Sequence, residues 1–350
     1  MAFITFQPHD YFFTKLYTGN GSAGHSITGV GFQPDWVWMK PRAFSENHAL
    51  YDSVRGTTKR LMSNTTEMEE TRSNGLSAFG ADGFTVNADN GENKNSETMV
   101  AWNWKGGTTS GITTNGSTTI TPSTYSFNAA AGIAILKFTG NSTAGAKLAH
   151  GLGGCDAFFV KRIGTGGDDW RTYHASNGGT KNIKLNSSDQ VATGTNIFND
   201  ANPDSVNITL GSHSSANASD TMICYAFKSI KGFSKFAKYK GNGNANGTFV
   251  YTGFKPAYIM VRFNGSGDGY NWIIYDNKRP NSSNPTPNIL EADTADAKNT
   301  SSNFNCDILS NGFKFRGTES NVNDTNAEYI YYAFAEEPLV ASNGTPATAR

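Results

Sequence analysis

Three cations close apolar runs in this chain, Lys40, Lys161 and Arg262, and each is followed by a tyrosine and a titratable residue, Tyr51-Asp52, Tyr173-His174 and Tyr275-Asp276. Arg55 and Arg279 stand three residues beyond the two aspartates. An acid beside a cation can orient a base or a nucleophile. Here histidine replaces the acid in the second set and no serine or cysteine recurs with the others, so no triad is formed. The remaining reading is a structural cation–carboxylate contact or a solvated strand end. Other chemistry-bearing clusters are weaker. Asn87 to Asn93 alternates oxygen ligands around Gly91 but lacks the Asp-x-Asp-x-Asp-Gly pattern of a calcium loop, so a polar turn is expected. His25, His48, His150 and His213 have no zinc-like spacing, and no metal or other cofactor is expected. Asp168-Asp169 and the cluster Glu67, Glu69 and Glu70 supply carboxylates, but nothing pairs two of them for glycoside hydrolysis. Two tryptophans are the candidate ligand-binding residues. Trp104 aligns with Ser229 and Glu336, and Trp38 with Phe159 and Met260, so either ring could stack on a sugar or sit in an interface.

Those alignments come from an internal repeat. Tyr17-Thr18-Gly19-Asn20, Phe138-Thr139-Gly140-Asn141 and Tyr239-Lys240-Gly241-Asn242 open three copies. Gly31-Phe32-Gln33-Pro34 followed by Asp35 to Lys40 returns as Gly253-Phe254-Lys255-Pro256 followed by Ala257 to Arg262; the second copy, from Gly151 to Lys161, keeps the apolar run and loses the proline. Thr98 to Trp102, Thr221 to Phe227 and Tyr329 to Phe334 close the copies, with Trp102 placed opposite Phe227 and Phe334. A residue type kept in all three copies serves the common fold; one found in a single copy is free for function.

Short runs of Val, Ile, Phe, Tyr and Trp between Gly, Asn, Ser and Thr clusters give an all-β reading: three tandem diverged β-sandwich modules of jelly-roll or lectin-like kind. The boundaries are 1–105, 106–231 with a Gly/Thr/Ser-rich connector over 106–119, 232–338, and a polar tail 339–350. The direct join at 232 predicts that the second and third modules pack together. Helix is expected only at Thr65 to Arg72, where Thr66 and Glu69 resemble a capping box, and in a third-copy counterpart from Leu290 to Lys298.

Lysine plus arginine and aspartate plus glutamate number 29 each, a net charge of zero, which argues against a nucleic-acid or anionic-membrane partner. Charged residues are 17% of the chain, so Gly, Ser, Thr and Asn must carry much of the surface. Cys155, Cys224 and Cys306 are odd in number and unmatched between copies, which predicts free, buried thiols made in a reducing compartment. No signal peptide and no membrane-spanning run are expected.

The run Phe6-Gln7-Pro8-His9-Asp10-Tyr11-Phe12, the Gly31 to Lys40 strand, Tyr51-Asp52-Ser53-Val54-Arg55-Gly56 and Asp82-Gly83-Phe84 together resemble repeat-domain structural proteins of tailed bacteriophages. Gly253 to Pro256, Tyr275-Asp276 and Tyr331 to Glu336 resemble their terminal repeat. The resemblance implies a virion structural protein made in the host cytoplasm, a tail fibre or adhesin component. It would bind a host-surface glycan or protein non-covalently, contact other tail proteins and assemble as a homo-oligomer, a trimer being the natural guess. A capsid decoration or head fibre is the alternative expectation, and a glycan-degrading tailspike enzyme the second. The resemblance supplies no site residue, and no catalytic residue is expected.

Overall fold

Strands of two to eight residues, most of the longer ones rich in β-branched and aromatic side chains and punctuated by glycine turns, pair antiparallel in every sheet. The computed structural model describes residues 6–279 and 284–338. The first copy contains β1 (Phe12–Thr18), β2 (His25–Thr28), β3 (Trp36–Pro41), β4 (Ala49–Asp52), β5 (Lys59–Arg60), β6 (Glu70–Thr71), β7 (Leu76–Gly80), β8 (Gly83–Val86), the one-turn helix α1 (Asn90–Asn93) and β9 (Thr98–Trp104). The second copy follows with β10 (Thr124–Asn128), β11 (Ile133–Thr139), β12 (Ala146–Ala149), β13 (Ala157–Arg162), β14 (Arg171–His174), β15 (Lys181–Lys184), β16 (Ala192–Thr193), α2 (Thr195–Phe198), β17 (Asn207–Leu210), α3 (Ser214–Asn217) and β18 (Thr221–Phe227). The third has β19 (Ser234–Lys240), β20 (Phe249–Tyr251), β21 (Pro256–Phe263), β22 (Ile273–Asp276), β23 (Leu290–Glu291), β24 (Cys306–Leu309), β25 (Gly312–Phe315), α4 (Ser320–Asn323) and β26 (Glu328–Ala335).

The three main sheets share one strand order. It runs β1-β9-β3-β4 in the first copy, β11-β18-β13-β14 in the second and β19-β26-β21-β22 in the third. The segment after the connector adds β10 to the free edge of β11, so the second main sheet has an edge strand that the others lack. Smaller sheets, β2-β8-β7, β12-β17 and β20-β25-β24, accompany them.

Strand alternation sends successive side chains of β3 to opposite faces. Val37 and Met39 meet Ile27, Phe84 and Val86 of the small sheet, while Trp36 and Trp38 enter a core built from all three copies. This shared core is what joins the thirds of the chain: it holds Trp36, Trp38, Trp102 and Trp104 with Phe159, Tyr225 and Phe227 and with Tyr258, Tyr332 and Phe334.

The Gly-Asn landmark has a local cause. Asn93, Asn217 and Asn323 end α1, α3 and α4, and each side chain brackets the opening loop of its copy. The Asn93 carboxamide accepts the Asn20 amide (2.9 Å) and donates to Asn20 Oδ1, Ser22 O and Asn87 O. Asn217 does the same for Asn141, and the Asn323 carboxamide accepts the Asn242 amide. The preceding glycine passes so close that a Cβ on Gly19, Gly140 or Gly241 would lie 2.2, 2.1 or 2.4 Å from a backbone carbonyl oxygen.

Helix is absent from both stretches where it was expected. Thr65 to Arg72 ends in β6, with Glu69 drawn to Arg55 and Lys59 and Glu70 to Arg60; tertiary ion pairs override the local capping pattern. Leu290 to Lys298 begins as β23. The polar tail 339–350 lies outside the described residues.

Candidate functional site

Cross-strand register gives the true equivalences between copies. Trp36, Ala157 and Tyr258 stand opposite Trp104, Phe227 and Phe334; Trp38, Phe159 and Met260 stand opposite Trp102, Tyr225 and Tyr332. The alignment of Trp102 with Phe227 and Phe334 is therefore two residues out, and Trp104 belongs to an aromatic column instead of standing alone against Ser229 and Glu336. Trp104 is 2% exposed and Trp38 fully buried. Trp104 stacks on Trp36 at 4.3 Å and meets Tyr258 and Phe334 edge-on. The Trp38 indole donates to His48 Nδ1 at 2.8 Å. Neither ring presents a face to solvent on which a sugar could stack. The void among these rings is about 10 Å³, room for at most a single water.

The repeated polar residues lie around this core, where each copy donates into the one before it. In the first column, His48, Trp170 and Trp272 occupy the same position ahead of β4, β14 and β22. Trp170 Nε1 donates to Met62 O (2.9 Å), Trp272 Nε1 to Lys184 O (2.8 Å), and His48 Nε2 meets Glu291 O (2.8 Å). Because His48 Nδ1 already accepts from Trp38, its proton sits on Nε2. The cation column behaves alike: Lys161 Nζ donates to Thr66 O (2.7 Å), Lys40 Nζ to Ala295 O (3.2 Å), and Arg262 to the carbonyl of Asp189. Burial lowers Lys40 and Lys161 to about 8 and Arg262 to about 10. These contacts run from the second copy to the first, the third to the second and the first to the third. They close a ring with pseudo-threefold character.

The acid column completes the pattern at two seams and breaks it at the third. Asp52 takes the Tyr225 hydroxyl (2.6 Å) and is paired to Arg55 Nε (2.5 Å). Asp276 takes the Trp102 indole (3.1 Å) and is paired to Arg279 Nε (2.5 Å). In each case the arginine also caps a strand carbonyl, Leu50 O or Ile274 O. The second copy has His174 and Asn177 at these positions. His174 Nε2 points at Tyr331 O (3.4 Å), its ring packs edge-on to Tyr332, and the buried Tyr332 hydroxyl has no partner among the described residues. Burial holds His174 down at about 4.

Most of the remaining candidates are also committed to structure. Asp89 caps α1, and Glu92, its carboxyl raised by burial to about 8, accepts from Tyr51 and Arg60. Asp168 takes Ser214 Oγ, while Asp169 is paired to Arg171 and Lys184. Cys155, Cys224 and Cys306 are free, and burial raises all three thiols. Among the described residues no group of three or more His, Cys, Asp or Glu side chains is placed to hold a metal ion. No helix among them is long and apolar enough to cross a membrane. Two open clefts of about 390 and 430 Å³ flank the seam between the second and third copies. One is lined by Asn177, Lys181, Asn264 and Glu328, the other by Arg171, Lys184, Asp189 and Asp268.

A domain of unknown function, DUF7483, matches residues 7–338. The chain belongs to this family. The single DUF7483 match spans all three copies, in keeping with a core that none of them completes alone. No curated protein and no solved structure matches the chain.

Proposed function

We propose that the chain is a non-enzymatic structural and binding protein of a tailed-bacteriophage virion, a tail fibre or adhesin component built from three diverged β-sandwich modules. It is made in the host cytoplasm, docks on other tail proteins and holds a host-surface glycan or protein without covalent chemistry. One observation carries the non-catalytic part of this reading: the residue columns with chemical potential, Lys40/Lys161/Arg262 and Asp52/His174/Asp276, are buried in the seams between copies. Their hydrogen bonds hold the scaffold together. The virion assignment rests on the sequence resemblance. The chain closes internally the three-part ring that a homotrimer of single modules would form, so its own homo-oligomers, a trimer included, would be assemblies of closed trios.

Imaging the parent particle with an antibody against the purified protein tests the assignment. Label on the tail is the expected result, and label on the head would replace it with a capsid decoration or head-fibre role. Release of reducing sugar from host polysaccharide, lost on replacing one carboxylate, would establish the tailspike enzyme instead.

A further inference from the structure

The outer edge of the small sheet is covered in the second copy and open in the third. Beside β12 runs the end of the connector and the residue after it: the Thr119 and Ile120 amides donate to the Lys147 carbonyl (3.0 and 2.9 Å) and the Ala149 amide to the Ile120 carbonyl (3.1 Å). Thr119 Oγ1 takes the Lys147 amide at 2.7 Å. The Ile120–Leu148 bridge is parallel, and the Ile120 side chain is buried in the second-copy core. The fold thus shows within itself what can occupy this edge.

Register identifies the matching strand in the third copy. Leu148 pairs with Ile208 as Val250 pairs with Phe313, so Phe249 stands at the position of Lys147 and Tyr251 at that of Ala149. Strand parity then turns the Phe249 carbonyl and the Tyr251 amide outward, the same two groups that the second copy uses. Among the described residues no strand pairs with this side of β20; only Lys235 Nζ reaches it, at the Tyr251 carbonyl (2.8 Å). The side chains here are unlike those of the other copies. Phe249 and Tyr251 are 43% and 59% exposed, two of the three large apolar side chains exposed among the described residues. The first copy has Ser26 and Thr28 at these positions. Proteins blunt open sheet edges with polar residues or cover them, and this edge carries two aromatic rings instead.

We propose that β20 is a docking edge for an extended segment of a protein partner, which adds in parallel as residues 118–120 add to β12. The partner segment places an apolar residue where Ile120 lies, gives its backbone to Phe249 and Tyr251, and rests on their rings. Lys314, directly across from Phe249, and Lys235, whose ammonium lies 5.3 Å from the Tyr251 ring centre, make the edge positive, so uncharged or acidic flanks suit the partner. This site concerns a protein neighbour and stands whether or not the molecule is an adhesin.

The test is titration of the ¹⁵N-labelled full chain with a synthetic peptide copying residues 114–123, followed through backbone amide shifts. Saturable shifts at 249–251 and 312–314, with none at 26–28, are expected. Tyr251→Pro removes only an outward N–H and one ring, and weakens peptide binding by about tenfold or more. A peptide with aspartate in place of its isoleucine gives no shift. The proposal is overturned by an absence of shifts, by equal shifts at 26–28, or by unchanged binding to Tyr251→Pro with its spectrum otherwise intact. It is also overturned if a polyuronate shifts 249–251 while the peptide does not, or if light scattering shows the chain pairing with itself through this edge.

Discussion

Tyr225 and Tyr332 occupy equivalent positions and are both buried, but the Tyr225 hydroxyl donates to the Asp52 carboxylate at 2.6 Å and accepts from Arg55 Nη2 at 3.4 Å, whereas the Tyr332 hydroxyl has no partner among the described residues. Replacing each with phenylalanine therefore removes the same atom from the same kind of site with opposite consequences. Tyr225→Phe loses the hydrogen bond to the Asp52 carboxylate and the weaker one from Arg55 Nη2, and leaves Asp52 Oδ2 with Arg55 alone, a cost of about 1.5–3 kcal/mol. Tyr332→Phe removes an unpaired buried hydroxyl and leaves stability unchanged or raised, since a desolvated polar atom disappears. For 350 residues the unfolding entropy is about 0.7 kcal/mol/K, so the first variant melts about 2–4 °C below the parent and the second at or above it. Calorimetry and denaturant titration measure both, with the denaturant slope required to stay constant so that the midpoint reports stability. Equal losses in the two variants would refute the claim that polar closure differs between seams. A second arm sharpens the comparison. In a His174→Asp/Asn177→Arg background, which supplies the acid–arginine pair of the other copies, Tyr332→Phe should become costly by about the same 1.5–3 kcal/mol.

Gly140→Ala places a Cβ about 2 Å from the Ala218 carbonyl and should destabilise by more than about 2 kcal/mol, while Gly116→Ala, with open space around it, stays within about 0.5 kcal/mol in the same denaturant titration. His174, held at about 4 when folded against about 6.5 unfolded, makes stability fall as pH drops from about 6.5 to 4, by about 3 kcal/mol relative to a His174→Gln variant; parallel pH profiles of the two proteins measure it. Glu92 behaves in the opposite sense. With its folded value raised to about 8, the wild type loses stability between about pH 4.3 and 8, so the advantage of Glu92→Gln in thermal melts should grow across that window and level off above it.

The landmarks were legible because each meets a requirement that side-chain type alone can state. Gly19, Gly140 and Gly241 are glycine because a backbone oxygen occupies the space of a Cβ, and the asparagine that follows each is bracketed by Asn93, Asn217 or Asn323. The all-β class followed from the same punctuated runs. The misplacement of Trp102 and Trp104 has a physical origin in strand periodicity. A slip of one residue would have put polar side chains in the core, whereas a slip of two keeps every residue on its proper face and is silent in the pattern. Only pairing with Trp36, Ala157 and Tyr258 fixes it. The ring of contacts between copies was equally hidden, because the acceptors of Trp170, Trp272 and His48 are backbone carbonyls of Met62, Lys184 and Glu291, whose side chains carry no trace of the bond. Glu69 and Glu70 read as a helix face because their partners Arg55, Lys59 and Arg60 lie on other elements.

Divergence of the second copy follows from the way one chain must trace a threefold arrangement. Three separate subunits could be identical, but a single chain needs two links and has two ends, so its three copies cannot keep identical surroundings. The link from second to third copy is direct, with Ser234 bonded back to Ile230. The link from first to second is long, and its residues pair with the free edges of both β11 and β12. A copy whose edges are covered by its own chain is released from guarding them, while the open copies must be guarded or used. The first copy guards its small-sheet edge with Ser26 and Thr28, and the third exposes Phe249 and Tyr251 there. Asymmetry in an otherwise threefold scaffold is therefore concentrated where chain connectivity leaves edges unequal. Among the described residues, β20 is the small-sheet edge that is left uncovered with large aromatic side chains exposed, which makes it the first surface on which to look for a partner.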